Sequence, residues 1–479
     1  MFRQHRKSIV LFIAGIFLTI LITTMVIQAT TVIPSTIVIS SGVYPGALSY
    51  MIWPEGTSYF AKDAYGYLVY SDTNATAVWD YVRNLATKGT VLFGSGDFYF
   101  DSGQVLIKSN VNMKGVGQEA THFYLGYGVE IQDDPTITTE NVTISDLTVS
   151  SGNTTASFSF GGLAGTRRRY ISLQHVRVIC NEPYPGTAGL NIFFAGPNDG
   201  DVDAGILDEH NSMFDVTFQL TIDNDADAVS ISFQRWFILD NCHIEARTAI
   251  YKCRDSVFSN NVVTFKNDWG NFGVWITGIS YNIVISGNDF YGNGEDIGPA
   301  IMVAGTVLEP VRHITIDGNT IFNFYNAIQF VGVENSIISS NTIWNTTNSG
   351  IYLGNVFGNY SNYNIISGNN IMDANSHLWG GIAGIYLVNA NYTQISGNLV
   401  RRFGTTTLHY GIALDTSFHN NIDGFTGIGL STCGIYETGG DYNSIINANL
   451  FDMTFPNGIV TVGTHTHVNC SWNGATWMP

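Results

Sequence analysis

An acidic stretch, residues 196–210, contains side chains that could bind a cation. Asp199, Asp201 and Asp203 alternate with other residues in it. Alternating carboxylates place hard oxygen ligands on one side of a loop, as Ca²⁺ requires. The stretch lacks the glutamate that closes an EF-hand loop, so a Ca²⁺ site here would be of another kind. A solvated acidic loop is the simpler alternative.

A second acidic stretch, residues 221–231, could carry acid–base chemistry. It contains Asp223, Asp225 and Asp227, and paired carboxylates act as acid and base in glycoside hydrolysis. Asp227 and Arg247 each stand fourteen residues before an asparagine of the repeat described below, so we expect them to be neighbours in adjacent repeats. A carboxylate-bound Ca²⁺ beside a basic Arg would suit a lyase. An ordinary ion pair would explain the same juxtaposition.

A strand-like element recurs in which a small residue is followed by an apolar, a variable and another apolar residue, as in the two copies of GIYL. The variable residue of such a strand points outward. Aromatic residues are frequent at this position, and an exposed row of rings could stack sugar rings. The high strand propensity of aromatic residues is the alternative explanation. The predicted binding residues are Tyr251, Trp275, Tyr352, Tyr386 and Tyr436.

Asparagine recurs at the end of short apolar–polar runs. ISGN occurs three times, with IDGN, ISSN and INAN as close variants, and between Asn241 and Asn449 the copies recur about every 26 residues. This spacing leaves little room for a helix between strands, and short fixed-period units are typical of a β-solenoid. The predicted ladder residues are Asn241, Asn261, Asn288, Asn319, Asn341, Asn369, Asn398 and Asn449.

We expect these asparagines to be structural. Coils of a solenoid stack about 4.8 Å apart, so equivalent side chains lie above each other. Stacked amides can then donate and accept hydrogen bonds down the pile. Alternatively, each Asn serves only its own tight turn, because Asn tolerates the left-handed conformation. Both interpretations assign the repeat to the fold and not to chemistry.

The start of the chain predicts a membrane segment. Three basic residues precede about twenty mostly apolar ones. Residues 1–7 would then be a cytoplasmic tail and residues 8–28 an uncleaved anchor, with the rest of the chain outside the cytoplasm. A signal cleaved near residue 29 is the alternative. Seven Asn-x-Ser/Thr sequons farther along the chain agree with an exported glycoprotein.

The rest of the chain is strongly acidic. With the three leading basic residues set aside, it carries 17 basic and 38 acidic residues, a net charge of −21. Such a surface repels nucleic acids and anionic lipids and suits hydrated cations or neutral sugars. DNA binding and a second membrane contact are therefore disfavoured. Residues 167–169, all Arg, are expected in a solvated turn. Five cysteines do not make a disulfide scaffold, although one or two bridges could form.

The order of elements resembles the right-handed parallel β-helix, or pectate-lyase-like, superfamily. In GIYL…YTQISGN-LV, a first strand, a short turn, a second strand, an Asn-bearing turn and a third strand follow one another as in one coil of that family. Residues 88–121 resemble its entry region. The resemblance implies glycan binding along the sheet built from the GIxL strands. It does not choose among lyases, hydrolases, epimerases, adhesins and tailspikes, which share this fold.

We therefore expect an all-β, right-handed parallel β-helix solenoid of roughly 12 coils. The expected segments after the anchor are a linker (29–55), a cap and entry region (56–136) with a helix near 74–88, the β-helix (137–450) and a C-terminal cap (451–479). We expect a cell-surface protein that binds a polysaccharide, or that processes one as a lyase or glycoside hydrolase. The alternative is a non-catalytic surface, adhesin or envelope protein. The oligomeric state is left open.

Overall fold

The described part of the chain folds into two long sheets with almost no helix. The computed structural model describes residues 48–151, 156–161, 165–180, 192–196, 207–220, 227–245, 247–265, 272–294, 298–355, 358–374, 383–403, 409–451, 458–461, 463 and 465–469. Within them, the only α-helix is Ala75–Leu85 (α1), and 33 strands form one sheet and 14 the other. The expected all-β parallel solenoid is confirmed.

An antiparallel hairpin and α1 cover one end of the solenoid. Asn74 begins the helix, since its side-chain oxygen accepts the N–H groups of the first turn. Val78, Trp79 and Val82 form the buried face of the helix, and the Trp79 indole N–H donates to the Leu106 carbonyl at 2.9 Å. The helix predicted near residues 74–88 is confirmed, and it shields the first coils from solvent.

The 33-stranded sheet (sheet A) begins with the antiparallel hairpin strands and continues with two strands per coil in parallel register. Its strands are Leu48–Glu55, Ser58–Asp63, Leu68–Asp72, Gly89–Phe93, Gly96–Phe100, Val111–Lys114, Thr121–Leu125, Thr139–Ser151, Arg168–Cys180, Asp208–Glu209, Ser212–Phe214, Thr217–Leu220, Gln234–Arg235, Ile238–Asp240, His243–Ile244, Arg254–Ser259, Val262–Thr264, Tyr281–Ser286, Asp289–Tyr291, Val311–Asp317, Thr320–Phe322, Val333–Glu334, Ile337–Ser339, Thr342–Trp344, Ile365–Ser367, Asn370–Met372, Gln394–Ser396, Leu399–Arg401, Asn421–Asp423, Thr426–Ile428, Ser444–Ile446, Asn449–Phe451 and His467–Asn469.

The 14-stranded sheet (sheet B) takes one strand from each coil. Its strands are Val105–Leu106, Ile131–Gln132, Phe158–Gly161, Ile192–Ala195, Asp227–Ser232, Arg247–Tyr251, Val274–Thr277, Ile301–Ala304, Ile328–Val331, Ile351–Gly354, Ala383–Val388, Tyr410–Asp415, Cys433–Thr438 and Ile459–Val460. Three of these lie outside residues 137–450, so that range holds about 11 turns where roughly 12 coils were expected. Parallel pairing in sheet B already begins at Val105.

The core consists of apolar columns that run through the stack. One column is formed by isoleucines that pair with each other from coil to coil and are inaccessible to solvent: Ile285, Ile316, Ile338, Ile366, Ile395, Ile422 and Ile445. Each coil alone cannot bury its apolar face, so the coils stabilise each other by stacking.

The asparagine repeat forms a hydrogen-bonded ladder. At every step the main-chain N–H and the Nδ2 of one Asn both donate to the Oδ1 of the next, at 2.8–3.0 Å, and Nδ2 also donates to a main-chain carbonyl. All members are at most 1% exposed. They are Asn261, Asn288, Asn319, Asn341, Asn369 and Asn398.

Two predicted ladder residues lie elsewhere. Asn241 is exposed and left-handed (φ 55), and the next residue, Cys242, holds the ladder position, with its N–H donating to Asn261 Oδ1 at 2.8 Å. Asn449 is exposed at the start of a strand, and the buried Ala448 takes the equivalent position. The prediction for Asn241 and Asn449 was therefore wrong by one residue in each case.

A second amide row was missed by the sequence reasoning. Thr393 N–H donates to Asn420 Oδ1, and Asn420 N–H donates to Asn443 Oδ1, both at 2.8 Å. Ser336 N–H likewise donates to Asn364 Oδ1 at 3.0 Å. These asparagines are 1% exposed, so a second turn of the coil is also fixed by buried amides.

The predicted anchor, residues 8–28, lies outside the described residues. Among the residues that are described, no helix is both long and apolar enough to cross a bilayer. Cys242, Cys253 and Cys433 are buried thiols, and burial raises the pKa of each to about 12, so they are protonated and unreactive at neutral pH.

Candidate functional site

The outward face of sheet B carries a row of aligned side chains. Backbone pairing places equivalent positions of successive strands side by side, and their flanking residues, mostly Ile, Val and Leu, face the core. The row is wholly outward-facing because side chains alternate along each strand. From coil to coil, the row consists of Trp275, Met302, Gln329, Tyr352, Tyr386, Ala413 and Tyr436. We call this surface the sheet-B face.

Tyr352 lies flat on the sheet-B face. A Cβ placed on Gly354, two residues along the same strand, would lie 2.5 Å from the Tyr352 hydroxyl oxygen and 2.6 Å from its Cε1. Only glycine therefore lets the ring fold down over the strand. The edge of the ring meets Tyr386, with centroids 5.6 Å apart and planes at 67°. A flat aromatic ring of this kind is a platform on which the apolar face of a sugar can stack.

Tyr386 reaches across a small residue to a carboxylate. Ala413 stands next to Tyr386 in the row, and Asp415 follows two residues along the Ala413 strand. Burial, the nearby charge of Asp415 and a hydrogen bond to that carboxylate raise the pKa of Tyr386 to about 12. Burial also raises the pKa of Tyr352. Both phenols therefore stay protonated at neutral pH and serve as hydrogen-bond donors, not as bases.

A stacked tyrosine pair lies at the far end of the row. The rings of Tyr410 and Tyr436 are 4.7 Å apart and nearly parallel, at 12°, and burial raises the pKa of Tyr410. Gln329 lies on the other side of Tyr352 and accepts a hydrogen bond from Asn326 Nδ2 at 2.8 Å. The face thus combines aromatic rings with a few polar groups, as ligand sites commonly do.

Tyr251 lies outside the predicted row, two residues farther along its strand than the row position. The residue paired with Trp275 is Ala249, and Tyr251 pairs with Thr277. The Tyr251 ring packs edge-on against Phe233 at 5.6 Å, and Lys252 Nζ lies 5.1 Å from its centroid. A hydrogen bond to Tyr251 raises the pKa of Lys252, and Lys252 also pairs with Glu309 at 3.1 Å. Tyr251 is therefore part of a neighbouring cluster.

The backbone places Asp227 beside Arg247, as their spacing predicts. The two are paired residues of adjacent strands, with a register shift directly after them. The Arg247 guanidinium lies 5.7 Å from the Trp275 ring, so the pair stands next to the sheet-B face. Asp223 and Asp225 lie outside the described residues, as does the side chain of Asp227. Their predicted catalytic role stays a prediction.

The predicted Ca²⁺ ligands Asp199, Asp201 and Asp203 also lie outside the described residues. Within the described part of the chain, no group of three or more His, Cys, Asp or Glu is arranged to hold a metal ion. Glu209, from the same acidic stretch, approaches Arg169 at 3.8 Å.

A column of aromatic rings follows the turn after sheet B, and sequence reasoning missed it. Consecutive rings are 4.6–5.2 Å apart and within 14° of parallel. Each inner ring is covered on both faces by its neighbours, so a sugar could stack only at the ends. The sequence feature that could have predicted this column is an aromatic residue six positions before a ladder Asn, as at Tyr363 and Tyr392. The column consists of Tyr363, Tyr392, His419, Tyr442 and His465.

A buried charge cluster replaces the solvated turn expected at residues 167–169. Arg168 is 0% exposed, and its guanidinium contacts the buried Asp133 carboxylate. The Arg168 main-chain N–H donates to Asp208 Oδ1 at 2.8 Å, whereas Asp208 Oδ2 has no partner among the described groups. Burial raises the pKa of Asp208 to about 7 and also raises the pKa of Asp133.

Asp208 should make stability fall as pH rises. The folded chain keeps the Asp208 proton up to pH about 7, whereas the unfolded chain loses it near its ordinary pKa of 3.8. Between these two pH values, unfolding therefore releases a proton, and the free energy of unfolding falls as pH rises. The total loss, reached above pH 7, is about 4 kcal/mol. Urea unfolding of the parent protein and of Asp208→Asn, measured from pH 4 to 8, gives the free energy of unfolding of each. The difference between the two free energies should change by this amount over that pH range. A difference independent of pH would contradict the assignment.

Comparison with known proteins agrees with the fold. A family model described as a right-handed beta helix region matches residues 227–400. No curated protein matches the chain in sequence at a significant level.

Several solved structures are similar to this chain at low sequence identity. Pre-mature bacteriophage phi29 gene product 12 is 12% identical over 82% of this chain and 55% of that chain, with a TM-score of 0.55. Its N-terminal fragment is 14% identical over 82% and 70%, with a TM-score of 0.52. The A-module of the Azotobacter vinelandii mannuronan C-5 epimerase AlgE6 is 15% identical over 84% and 95%, with a TM-score of 0.46. The family match over residues 227–400 and the parallel coils described above agree on a right-handed parallel β-helix fold.

Proposed function

We propose that this protein binds a polysaccharide along the sheet-B face. The observation that carries the proposal is the row Trp275, Tyr352, Tyr386 and Tyr436, aligned by backbone pairing on one outward surface. Six strand steps separate Trp275 from Tyr436, a track of about 29 Å at the usual strand spacing. Such a track is long enough for several sugar units. The net charge of the chain favours a neutral sugar or one that is bridged by cations.

The geometry supports binding more directly than cleavage. Between Trp275 and Tyr436, the outward positions of the described sheet-B strands carry one carboxylate, Asp415. Most glycoside hydrolases need two, placed on either side of the bond. Lyase or hydrolase activity would need Asp223, Asp225, Asp227 or Arg247 to complete a site, and Ca²⁺ bound at Asp199, Asp201 and Asp203 stays a prediction. Binding alone, as in an adhesin or envelope protein, is the form that we propose.

We also propose that the β-helix lies on the outer side of a membrane and that residues 8–28 hold it there. The support is the apolar length of that segment and the basic residues before it.

Removing the rings should weaken glycan binding. In a screen of the full chain against neutral and uronate-containing polysaccharides, Tyr352→Ala and Tyr386→Ala should each lower the affinity for the best-bound probe 10- to 100-fold, the loss expected for a central aromatic contact. Titration calorimetry with that probe measures the change. Tyr386→Phe keeps the ring and should lose less.

Tyr127→Ala is the matched control, because this tyrosine is 77% exposed and precedes the second strand of sheet B, five strands before the strand of Trp275. It should bind like the parent protein. The proposal fails if no polysaccharide binds, or if Tyr127→Ala weakens binding as much as Tyr352→Ala does.

A further inference from the structure

The tip of the N-terminal hairpin displays large apolar side chains. Tyr65, Tyr67 and Leu68 are 86%, 70% and 60% exposed. The turn that carries them is held in place, because Asp63 Oδ1 accepts the N–H groups of Tyr65 and Tyr67, both at 2.9 Å, and Asp63 N–H donates to the Tyr67 carbonyl at 3.0 Å. The rings therefore project from a formed turn.

The chain enters the β-helix unit beside this tip. The first described strand begins at Leu48, which is 40% exposed, and Tyr50 pairs with Asp63 at the start of the turn. Lys62 pairs with Leu68 on the other side. Exposed apolar groups thus surround the point at which the chain arrives from residues 1–47. We call Leu48, Tyr65, Tyr67 and Leu68 the hairpin tip.

We propose that the hairpin tip lies in the headgroup region of the bilayer that holds residues 8–28. Nineteen residues, 29–47, link the proposed membrane segment to Leu48, and a chain of this length spans at most about 70 Å. This tether makes contact with the bilayer intramolecular, and a weak affinity then suffices. Tyr and Leu are well suited to the membrane–water interface. The inference rests on the proposed membrane segment and is independent of glycan binding.

The acidic surface does not oppose this contact. The net charge disfavours attraction to anionic lipid, which is why a second membrane contact was not expected from composition. The tip residues themselves are uncharged, and the Asp63 carboxylate at their base is engaged by the turn amides. Lys62, beside the tip, lies 5.3 Å from the Trp53 ring. The contact should therefore form on zwitterionic lipid and be insensitive to salt.

The test compares two equally exposed positions in the full chain. Tyr65→Cys and Leu308→Cys, at residues 86% and 87% exposed, are each labelled with an environment-sensitive fluorophore in a Cys470→Ser background. Leu308 follows the eighth strand of sheet B, about 34 Å along the stack from the first. The chains are placed in phosphatidylcholine nanodiscs with or without lipid-borne quenchers. We expect at least three-fold quenching at position 65 and none at position 308.

The inference is overturned if quenching is equally weak at both positions in chains that have entered the nanodisc. That outcome would not contradict the proposed membrane segment. Failure of the full chain to enter nanodiscs overturns both. Shielding of position 65 that persists in detergent would mean that residues 29–47 cover the tip. Shielding that rises with protein concentration would mean that a second copy does. Either outcome also rejects the bilayer as the partner.

Discussion

Replacing Asn341 with alanine is expected to lower the free energy of unfolding by about 3–5 kcal/mol. The Asn341 side chain accepts two hydrogen bonds from Asn319 and donates to the Ile316 carbonyl and to Asn369 Oδ1. Alanine would remove the acceptor of the Asn319 main-chain N–H, one of the two acceptors of the Asn319 side-chain NH₂ and the side-chain donor to the Ile316 carbonyl, all of them buried. Each unsatisfied group costs about 1–3 kcal/mol. Urea denaturation followed by circular dichroism measures the loss.

The chain supplies two matched controls for this experiment. Asn241→Ala and Asn449→Ala remove asparagines from the same sequence repeat, but both residues are exposed and lie outside the ladder. Asn449→Ala should change stability by no more than about 0.5 kcal/mol. Asn241→Ala should cost about 1 kcal/mol, because Asn241 is left-handed (φ 55) and alanine tolerates that conformation less well than asparagine does. If Asn449→Ala cost as much as Asn341→Ala, the stabilising role of the buried ladder would be wrong.

Replacing Arg168 with leucine is expected to destabilise the fold by a similar amount, about 3–5 kcal/mol. The substitution leaves the Asp133 carboxylate, 2% exposed, without its guanidinium partner. It also removes the donors to the Gly161 carbonyl and Thr166 Oγ1, both at 2.8 Å. The double variant Arg168→Leu/Asp133→Leu should recover part of the loss, since an apolar pair can replace a buried ion pair.

Arg169→Leu is the internal control for Arg168→Leu. Arg169 is the next residue, its side chain is 42% exposed and it approaches Glu209 at 3.8 Å, so its loss should cost at most about 1 kcal/mol. Thermal unfolding of the three variants under identical conditions measures the loss of stability in each. Equal losses for Arg168→Leu and Arg169→Leu would contradict a stabilising role of the buried Arg168–Asp133 pair.

The ladder asparagines show what the local sequence can predict and what it cannot. A ladder residue stands three positions after an inward-facing apolar residue, as Asn288 does after Ile285. Before Asn241, the adjacent Ile238 and Leu239 are both apolar, and before Asn449 so are Ile445 and Ile446. Only stacking on the next coil selects Leu239 and Ile445 as the buried members. The local sequence alone therefore could not show which residue of these two coils occupies the ladder position.

Tyr251 was placed in the wrong row for a related reason. The first inward-facing residue of its strand is Thr248, a buried polar residue. The small–apolar–variable–apolar pattern therefore matched two residues too late, at Tyr251 instead of Ala249. Backbone pairing of Ala249 with Trp275 fixes the row. A polar residue at an inward position breaks the hydrophobic alternation on which the pattern depends.

By itself, the sequence determined the architecture of this protein. Short strands, a repeat near 26 residues and recurrent asparagines permit few folds other than a stacked solenoid, because each unit is too small to bury its own apolar face. It also indicated which surface carries the rings. The tertiary structure alone decided that Arg168 meets Asp133, that Tyr386 reaches Asp415 and that five rings form one column. These contacts join residues 23 to 35 positions apart, and their partners are chosen by which coil lies above which.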